Sequence, residues 1–232
     1  MGKLIVRIAS LLLIAAFLPT AVLAAEWNLE NGSIEITATA GTTQTVSQGG
    51  SSAEDSNPTI TSKGQQTGNT ITINAGAGTT ANVTIKDTNI RAGGTAIKTE
   101  GEGNVNLNVE GINTVSSGDK HAGVEKANDG NLTIGSESGE GELTANGGHG
   151  GAGIGGGARG DGSDITISGG EVTANGGING AGIGGGLRAG GRDITISKDS
   201  QLKAAGGAGD SWDGCGAAIG NGGYNHWGYE PV

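Results

Sequence analysis

Short alternations of apolar and polar residues recur along this chain, each closed by Gly, Asn, Asp or Ser. In Ile165-Thr166-Ile167 the isoleucines point one way and the threonine the other, as on a strand with one buried face. The alternation is itself periodic. Asp164-Ile-Thr-Ile-Ser168 returns as Asp193-Ile-Thr-Ile-Ser197, about 29 residues later. Glu142-Leu-Thr-Ala-Asn-Gly-Gly148 returns as Glu171-Val-Thr-Ala-Asn-Gly-Gly177, and Gly151-Ala-Gly-Ile-Gly-Gly-Gly157 as Gly180-Ala-Gly-Ile-Gly-Gly-Gly186, both at that interval. A fixed period of this size marks a solenoid, in which one supersecondary unit stacks on copies of itself.

Each period holds three short strand patterns, such as Ile165–Ile167, Val172–Ala174 and Ala181–Ile183. Three strands per turn, each stacked on its equivalent in the next turn, make a parallel β-helix. The inward residues then form ladders: Ile165 on Ile194, Val172 on Leu143, Ile154 on Ile183. The usual chirality of parallel crossovers implies a right-handed coil. With 50 glycines in 232 residues, each disfavouring helix by about 1 kcal/mol, the fold class is all-β. The Gly-Ile-Gly-Gly-Gly runs read as corners, where glycine supplies positive φ; a phosphate-cradling loop would need a following helix, and no helical pattern follows. Asp164 and Asp193 read as Asx turns at strand starts.

Backward along the chain the repeat loosens. Asn131-Leu-Thr-Ile134, Asn104–Val109, Asn82–Ile85, Thr70–Ile73 and Ser33–Ile36 each open a less regular coil. Forward, Gly216-Ala-Ala-Ile-Gly-Asn-Gly222 repeats the motif after an insertion around Asp210–Cys215. The expected organisation is a signal peptide over 1–24 and one β-helix domain over 25–232. Within it, irregular coils run to about 130, regular coils over 131–209, and an insertion or cap over 210–232. Roughly six or seven coils give a rod on the order of 30 Å long.

The signal reading rests on Lys3 and Arg7, the apolar run from Ile8 to Leu18, and small residues at Ala21-Val-Leu-Ala-Ala25 for cleavage near Ala24. It places the protein outside the cell or on a bacterial surface, with no membrane span left after cleavage. The full sequence carries a net charge of −10, and losing Lys3 and Arg7 makes it more acidic. Nucleic acid is thereby disfavoured as a partner, and so are anionic membranes. The single cysteine, Cys215, has no partner within the chain, so the fold is not disulfide-held.

Trp27-Asn-Leu-Glu-Asn-Gly-Ser-Ile-Glu-Ile36, Val105-Asn-Leu-Asn-Val-Glu-Gly-Ile-Asn-Thr114 and the two Ala-Gly-Ile-Gly-Gly-Gly coils together resemble a recurrent β-helical module. That module occurs in secreted and surface proteins of Gram-positive anaerobes and is described as a carbohydrate-binding or adhesin-like domain of pectate-lyase-like fold. The resemblance implies a non-catalytic module that binds polysaccharide or a cell-surface glycan. A related polysaccharide-binding family uses calcium and favours Asp-Gly-Ile-Asp where this chain has Ala-Gly-Ile-Gly, a departure that removes a stacked acid from each coil.

The residues themselves offer two candidate sites. Trp212, Tyr224, Trp227 and Tyr229 fall close together in a chain that is only 3% aromatic, with Asp210 and Asp213 beside them. They form either a sugar-stacking platform or a cap over the open end of the apolar ladder. Asp161 and Asp164 lie three apart in a glycine-rich turn and are the candidate calcium ligands; no cofactor is otherwise required. Arg159-Gly160-Asp161 also spells an adhesion tripeptide, of the kind that chance supplies in a glycine-rich chain. No paired carboxylates with a basic partner are evident on a strand face, and His121, His149 and His226 show no ligand spacing. The alternatives to a binding module are a pectate-lyase-like enzyme, which predicts acid and base clustered on one exposed face, and a purely structural spacer. End-to-end self-association is a further expectation, because a final coil leaves strand edges to pair.

Overall fold

A computed structural model describes residues 25–224. The signal peptide expected over 1–24 lies outside the described residues, as do His226, Trp227 and Tyr229.

Alternation on the strand and small residues at the bends wind the chain into a β-solenoid of about 6 turns with regular coils of about 29 residues. Each turn visits three sheets in a fixed order. The first sheet has seven strands, which stack along the axis as Glu26–Asn28, Thr59–Thr61, Thr80–Lys86, Asn104–Glu110, Leu132–Gly135, Gly162–Ile167 and Gly191–Ile196. The chain next enters a sheet of six strands that ends in Glu142–Asn146, Gly170–Asn175 and Ser200–Ala205, here the corner sheet. It then crosses to a sheet of nine strands, here the second sheet, whose parallel strands run from Ile34–Ala38 through Ile71–Ala75, Ile97–Gly101 and Val124–Lys126 to Ile219–Gly220. Every pairing between successive turns is parallel, and the expected ladders are present: Ile165 faces Ile194, Leu143 faces Val172, and Ile154 faces Ile183. These inward side chains form one continuous apolar core, in which Ile71, Ile97, Leu132 and Ile165 are fully buried.

Outward residues form their own columns. Thr133, Thr166 and Thr195 stack on the first sheet, and Thr144 stacks on Thr173 on the corner sheet. Asn175 Nδ2 donates to Asn146 Oδ1 at 2.9 Å and Asn146 Nδ2 to Ser116 Oγ at 3.1 Å, so side-chain amides tie one coil to the next.

The N-terminal end is sealed by features that the repeat does not contain. Thr45–Gln48 pairs antiparallel with Ile34–Ala38, and Ser51–Glu54 pairs antiparallel with Thr45–Gln48, a hairpin laid along the edge of the second sheet. Val46 from this hairpin is fully buried. Gln44 does a strand's work with its side chain: its Nε2–H donates to the Asn82 carbonyl at 2.8 Å, and its Oε1 accepts from the Asn82 N–H at 3.1 Å. Sheet edges left unpaired are sites of aggregation, and this end has none free at that position.

The glycine corners are of two kinds. Gly155, Gly184 and Gly220 stack in a column with φ between 126° and 133°, the conformation expected from sequence. Gly151, Gly180 and Gly216 instead have ordinary φ. A Cβ there would lie 1.9 to 2.0 Å from the carbonyl oxygen of His121, Gly151 or Gly180 in the preceding coil. Close approach of successive coils, not left-handed backbone, requires glycine in this second column. Asp164 and Asp193 also depart from expectation. They adopt φ of 56° and 52° and interrupt the ladder between Ser163–Arg192 and Ile165–Ile194, and neither side chain caps a strand-start amide. They are left-handed kinks repeated in register on both strands rather than Asx turns.

Candidate functional site

On the first sheet, inward Val83, Leu107 and Ile134 turn their neighbours outward, and the register sets Asn82, Asn106 and Thr133 side by side. Thr84, Asn108 and Gly135 form the adjacent column. Asn106 Nδ2 donates to Asn82 Oδ1 at 2.9 Å, and Asn108 Nδ2 to Thr84 Oγ1 at 3.3 Å. Asn108 Oδ1 accepts the Glu137 N–H at 3.0 Å, which fixes the loop bearing Glu137. Ser56 and Asn57 stand at one end, Ser136, Glu137 and Ser168 at the other, and the open groove between them measures about 510 Å³. Its floor is a lattice of amides and hydroxyls. Each asparagine keeps donor and acceptor capacity beyond the bonds it makes within the lattice.

The second sheet holds a different cluster. Glu35, Thr72, Lys98 and Glu125 stack in register, with Glu100 beside them on the Lys98 strand. Lys98 Nζ lies 2.6 Å from Glu100 Oε1. That hydrogen bond, with the charge of Glu100 and Glu125, raises the lysine pKa against the opposing effect of partial burial. His121 Nδ1 lies 3.0 Å from Glu125 Oε2 and 2.8 Å from Thr95 Oγ1. A groove of about 530 Å³ runs from Lys98 and Glu100 past Glu35 to the hairpin at Ser47–Gly50. Paired carboxylates with basic partners therefore do occur on a strand face, contrary to the sequence reading. Alternation alone puts Lys98 and Glu100 on one face, but Glu35, Thr72 and Glu125 join them from other coils of unequal length, so the sequence does not show the cluster as a whole.

The chemistry of this cluster is limited by its own bonds. A hydrolytic triad needs the hydroxyl on one imidazole nitrogen and the carboxylate on the other. Here Thr95 and Glu125 share Nδ1. A lyase needs a base that is unprotonated near neutral pH. Lys98 is held as a cation by Glu100 and Glu125.

The C-terminal candidates are partly separated by the structure. Trp212 is 71% exposed and Tyr224 53%, and the Gly214 N–H donates to the Tyr224 carbonyl at 3.0 Å, which joins the two segments. Trp212 thus covers no apolar ladder. Asp213 is buried in a two-pronged pair with Arg188, Nε to Oδ1 at 2.9 Å and Nη2 to Oδ2 at 3.0 Å. Asn179 Nδ2 donates to the carbonyls of Asp213 and Gly214, so the insertion is clamped against the preceding coil. Asp210 Oδ1 accepts the N–H groups of Asp213 and Trp212, and these bonds lower its pKa, with His149 and Arg188 adding to the effect. Asp210 and Asp213 both shape the loop that displays Trp212. Trp227 and Tyr229 lie outside the described residues.

The calcium candidates have partners of their own. Asp161 Oδ1 accepts the Gly190 N–H at 2.8 Å, and Oδ2 lies 3.3 Å from Arg192 Nη1. Asp164 contributes to the electrostatics of Lys126, a buried lysine directed into the core. Calcium takes six to eight oxygens, and at this turn it would compete with Arg192 for one carboxylate. Among the described residues no group of three or more His, Cys, Asp or Glu is arranged to hold a metal ion.

No protein-family model, no curated protein and no solved structure matches this chain.

Proposed function

We propose that the protein is a non-catalytic binding module for polysaccharide, and that the sugar chain lies in the groove of the first sheet across Asn82, Asn106, Asn108 and Thr133. The observation that carries this reading is the array of amides and a hydroxyl at Asn82, Asn106, Asn108 and Thr133, tied by side-chain bonds between coils, on the floor of a groove of about 510 Å³. Sugar hydroxyls both donate and accept, and an array that presents both capacities along a regular repeat suits a repeating polyol. Among the described residues Glu137 is the one charged residue lining the groove, and the chain carries a net charge of −10. Both features favour neutral over acidic glycans, since a uronate would meet like charge. The resemblance to carbohydrate-binding surface modules, and the signal peptide expected from the sequence of residues 1–24, support a role outside the cell.

Exposed Trp212 supports a second reading, a stacking platform at the insertion. Affinity gels separate the two. Neutral plant, mucin and wall polysaccharides should retard the protein more than polygalacturonate, with or without calcium. N106A/N108A should weaken that binding by at least about tenfold while W212A leaves it unchanged. The reverse pattern would move the site to the insertion. Retardation by no polysaccharide would sink the binding reading, and unsaturated sugar products would replace it with a lyase.

A further inference from the structure

Asp55 is 1% exposed, yet none of the ion pairs among the described residues involves it. Its carboxylate faces three N–H donors. Oδ2 accepts from the Ala25 backbone nitrogen at 2.9 Å and from Trp27 Nε1 at 3.0 Å, and Oδ1 accepts from the Asn57 N–H at 3.2 Å. Ala25 is held from its other side too, because its carbonyl accepts the Thr59 N–H at 3.1 Å and so begins the first sheet. A carboxylate taken out of water is costly unless a cation compensates it. The nitrogen already in contact is the one that peptide-bond hydrolysis after Ala24 would convert from a neutral amide into a cation.

We propose that the protein carries a processing site between Ala24 and Ala25, and that the α-ammonium freed there completes an ion pair with the buried carboxylate of Asp55 that locks the N-terminal end of the solenoid. A signal peptidase supplies the step. Water adds across the Ala24–Ala25 amide, the C–N bond breaks, Ala24 leaves as a carboxylate, and Ala25 keeps the nitrogen as –NH₃⁺. The Ala25–Asp55 contact, at 2.9 Å, already has the length of a charge-assisted bond. Asp55 also holds the Trp27 indole and the turn at Asn57, so a tighter grip on Ala25 is passed to the strand Glu26–Asn28 and to the loop that leads out of the hairpin. Export and final stability are then coupled: the chain with its leader attached is the less stable form.

Three measurements test this. Intact mass and N-terminal sequencing of the secreted chain should show Ala25 as the first residue; any other start overturns the proposal. In the mature chain labelled with ¹⁵N at Ala25, the α-amino group should titrate above its ordinary range of about 7.7–8.0, and D55N should return it to that range. Titration at the ordinary value with Asp55 present overturns the proposal. Finally, a chain that retains Leu23 and Ala24 should melt about 3–6 °C below the mature chain under conditions where the amine is charged. The sign follows from linkage. A raised amine pKa adds stability that is complete below the unfolded-state value and is lost as pH rises through the folded-state value, so the two melting curves should converge in alkaline buffer. Equal melting temperatures at neutral pH would overturn the ion pair. This last comparison leaves Asp55 intact, so it holds even where D55N fails to fold.

Discussion

Lys126 sits where the alternation of its strand calls for an apolar residue. Val124 and Lys126 point inward while Glu125 points out, and Lys126 is only 8% exposed. Its Nζ reaches the Asn128 carbonyl at 2.5 Å, and the hydroxyl of Thr99, its neighbour in the ladder, donates to Asn128 Oδ1 at 2.7 Å. Burial lowers the lysine pKa from its usual 10.5, and the charges of Asp164 and Asp129 only partly offset this. Between the lowered value and 10.5 the unfolded chain binds more protons than the folded one, so stability should rise with pH across that window. K126M should remove this component of the slope and be at least as stable as the parent near neutral pH, because it takes a charge out of the core. Thermal melts from pH 7 to 10 decide the matter; parallel profiles for the two proteins would show that Lys126 carries no such penalty. The sequence could not mark this residue. Val-Glu-Lys alternates less clearly than Ile-Thr-Ile, and only the stacking with Thr99 shows which way Lys126 points. The same holds for Asp213, which reads as a surface acid beside Trp212 until Arg188 of the preceding coil is set against it.

At the scale of the coil, the repeat was legible because stacking writes the same inward residues at the same interval. The ladders of Ile165 and Val172 follow from that alone. The end-sealing hairpin was not, since Thr45–Glu54 occurs once and has no periodic partner to betray it. The candidate groove was half legible. The outward position of Asn106 follows from alternation, but its contact with Asn82 depends on coils of unequal length falling into register. Glycine corners show what that register demands. In G180A the new Cβ would lie 1.9 Å from the Gly151 carbonyl oxygen and 2.5 Å from its carbon, against the backbone of the preceding coil and with no flexible side chain to yield. The coils would have to separate, breaking the ladders that hold Ile183 between Ile154 and Ile219. The expected loss is about 4 kcal/mol or more, at the severe end for a single substitution. Gly94 has no atom within 4 Å of an added Cβ, and G94A should stay within about 0.5 kcal/mol of the parent. Denaturant titration of both measures the contrast. A G180A protein with parental stability would mean that the coils stand further apart than the structure has them.

Over the whole molecule, the two ends differ. At the N-terminal end Leu29, Ile36 and Val46 are fully buried beneath the hairpin, Gln44 closes the sheet edge at Asn82, and Asp55 ties down Ala25 and Trp27. At the other end the described residues leave the last coil uncovered. Ile196 is 37% and Ile219 44% exposed, Leu202 is only partly buried, and strands Gly191–Ile196 and Ser200–Ala205 pair on one side alone. In a solenoid each coil is stabilised by its neighbours, so a coil with one neighbour opens more easily than a coil with two. Alternate residues of an edge strand also aim their amides away from the only partner strand. Unfolding should therefore begin at the C-terminal coil and travel toward the hairpin. Hydrogen exchange read by mass spectrometry should give the fastest strand exchange in peptides covering 191–205. Protection should rise through 162–175 and be highest between about 71 and 134, where each coil is covered above and below and the apolar ladder is continuous. Adding N106A/N108A should leave this gradient unchanged, because those side chains lie outside the core. Uniform protection along the chain would mean that the coils open as a single unit. Earliest exchange in Glu26–Ala38 would mean that the hairpin, Gln44 and Asp55 do not seal the end they cover.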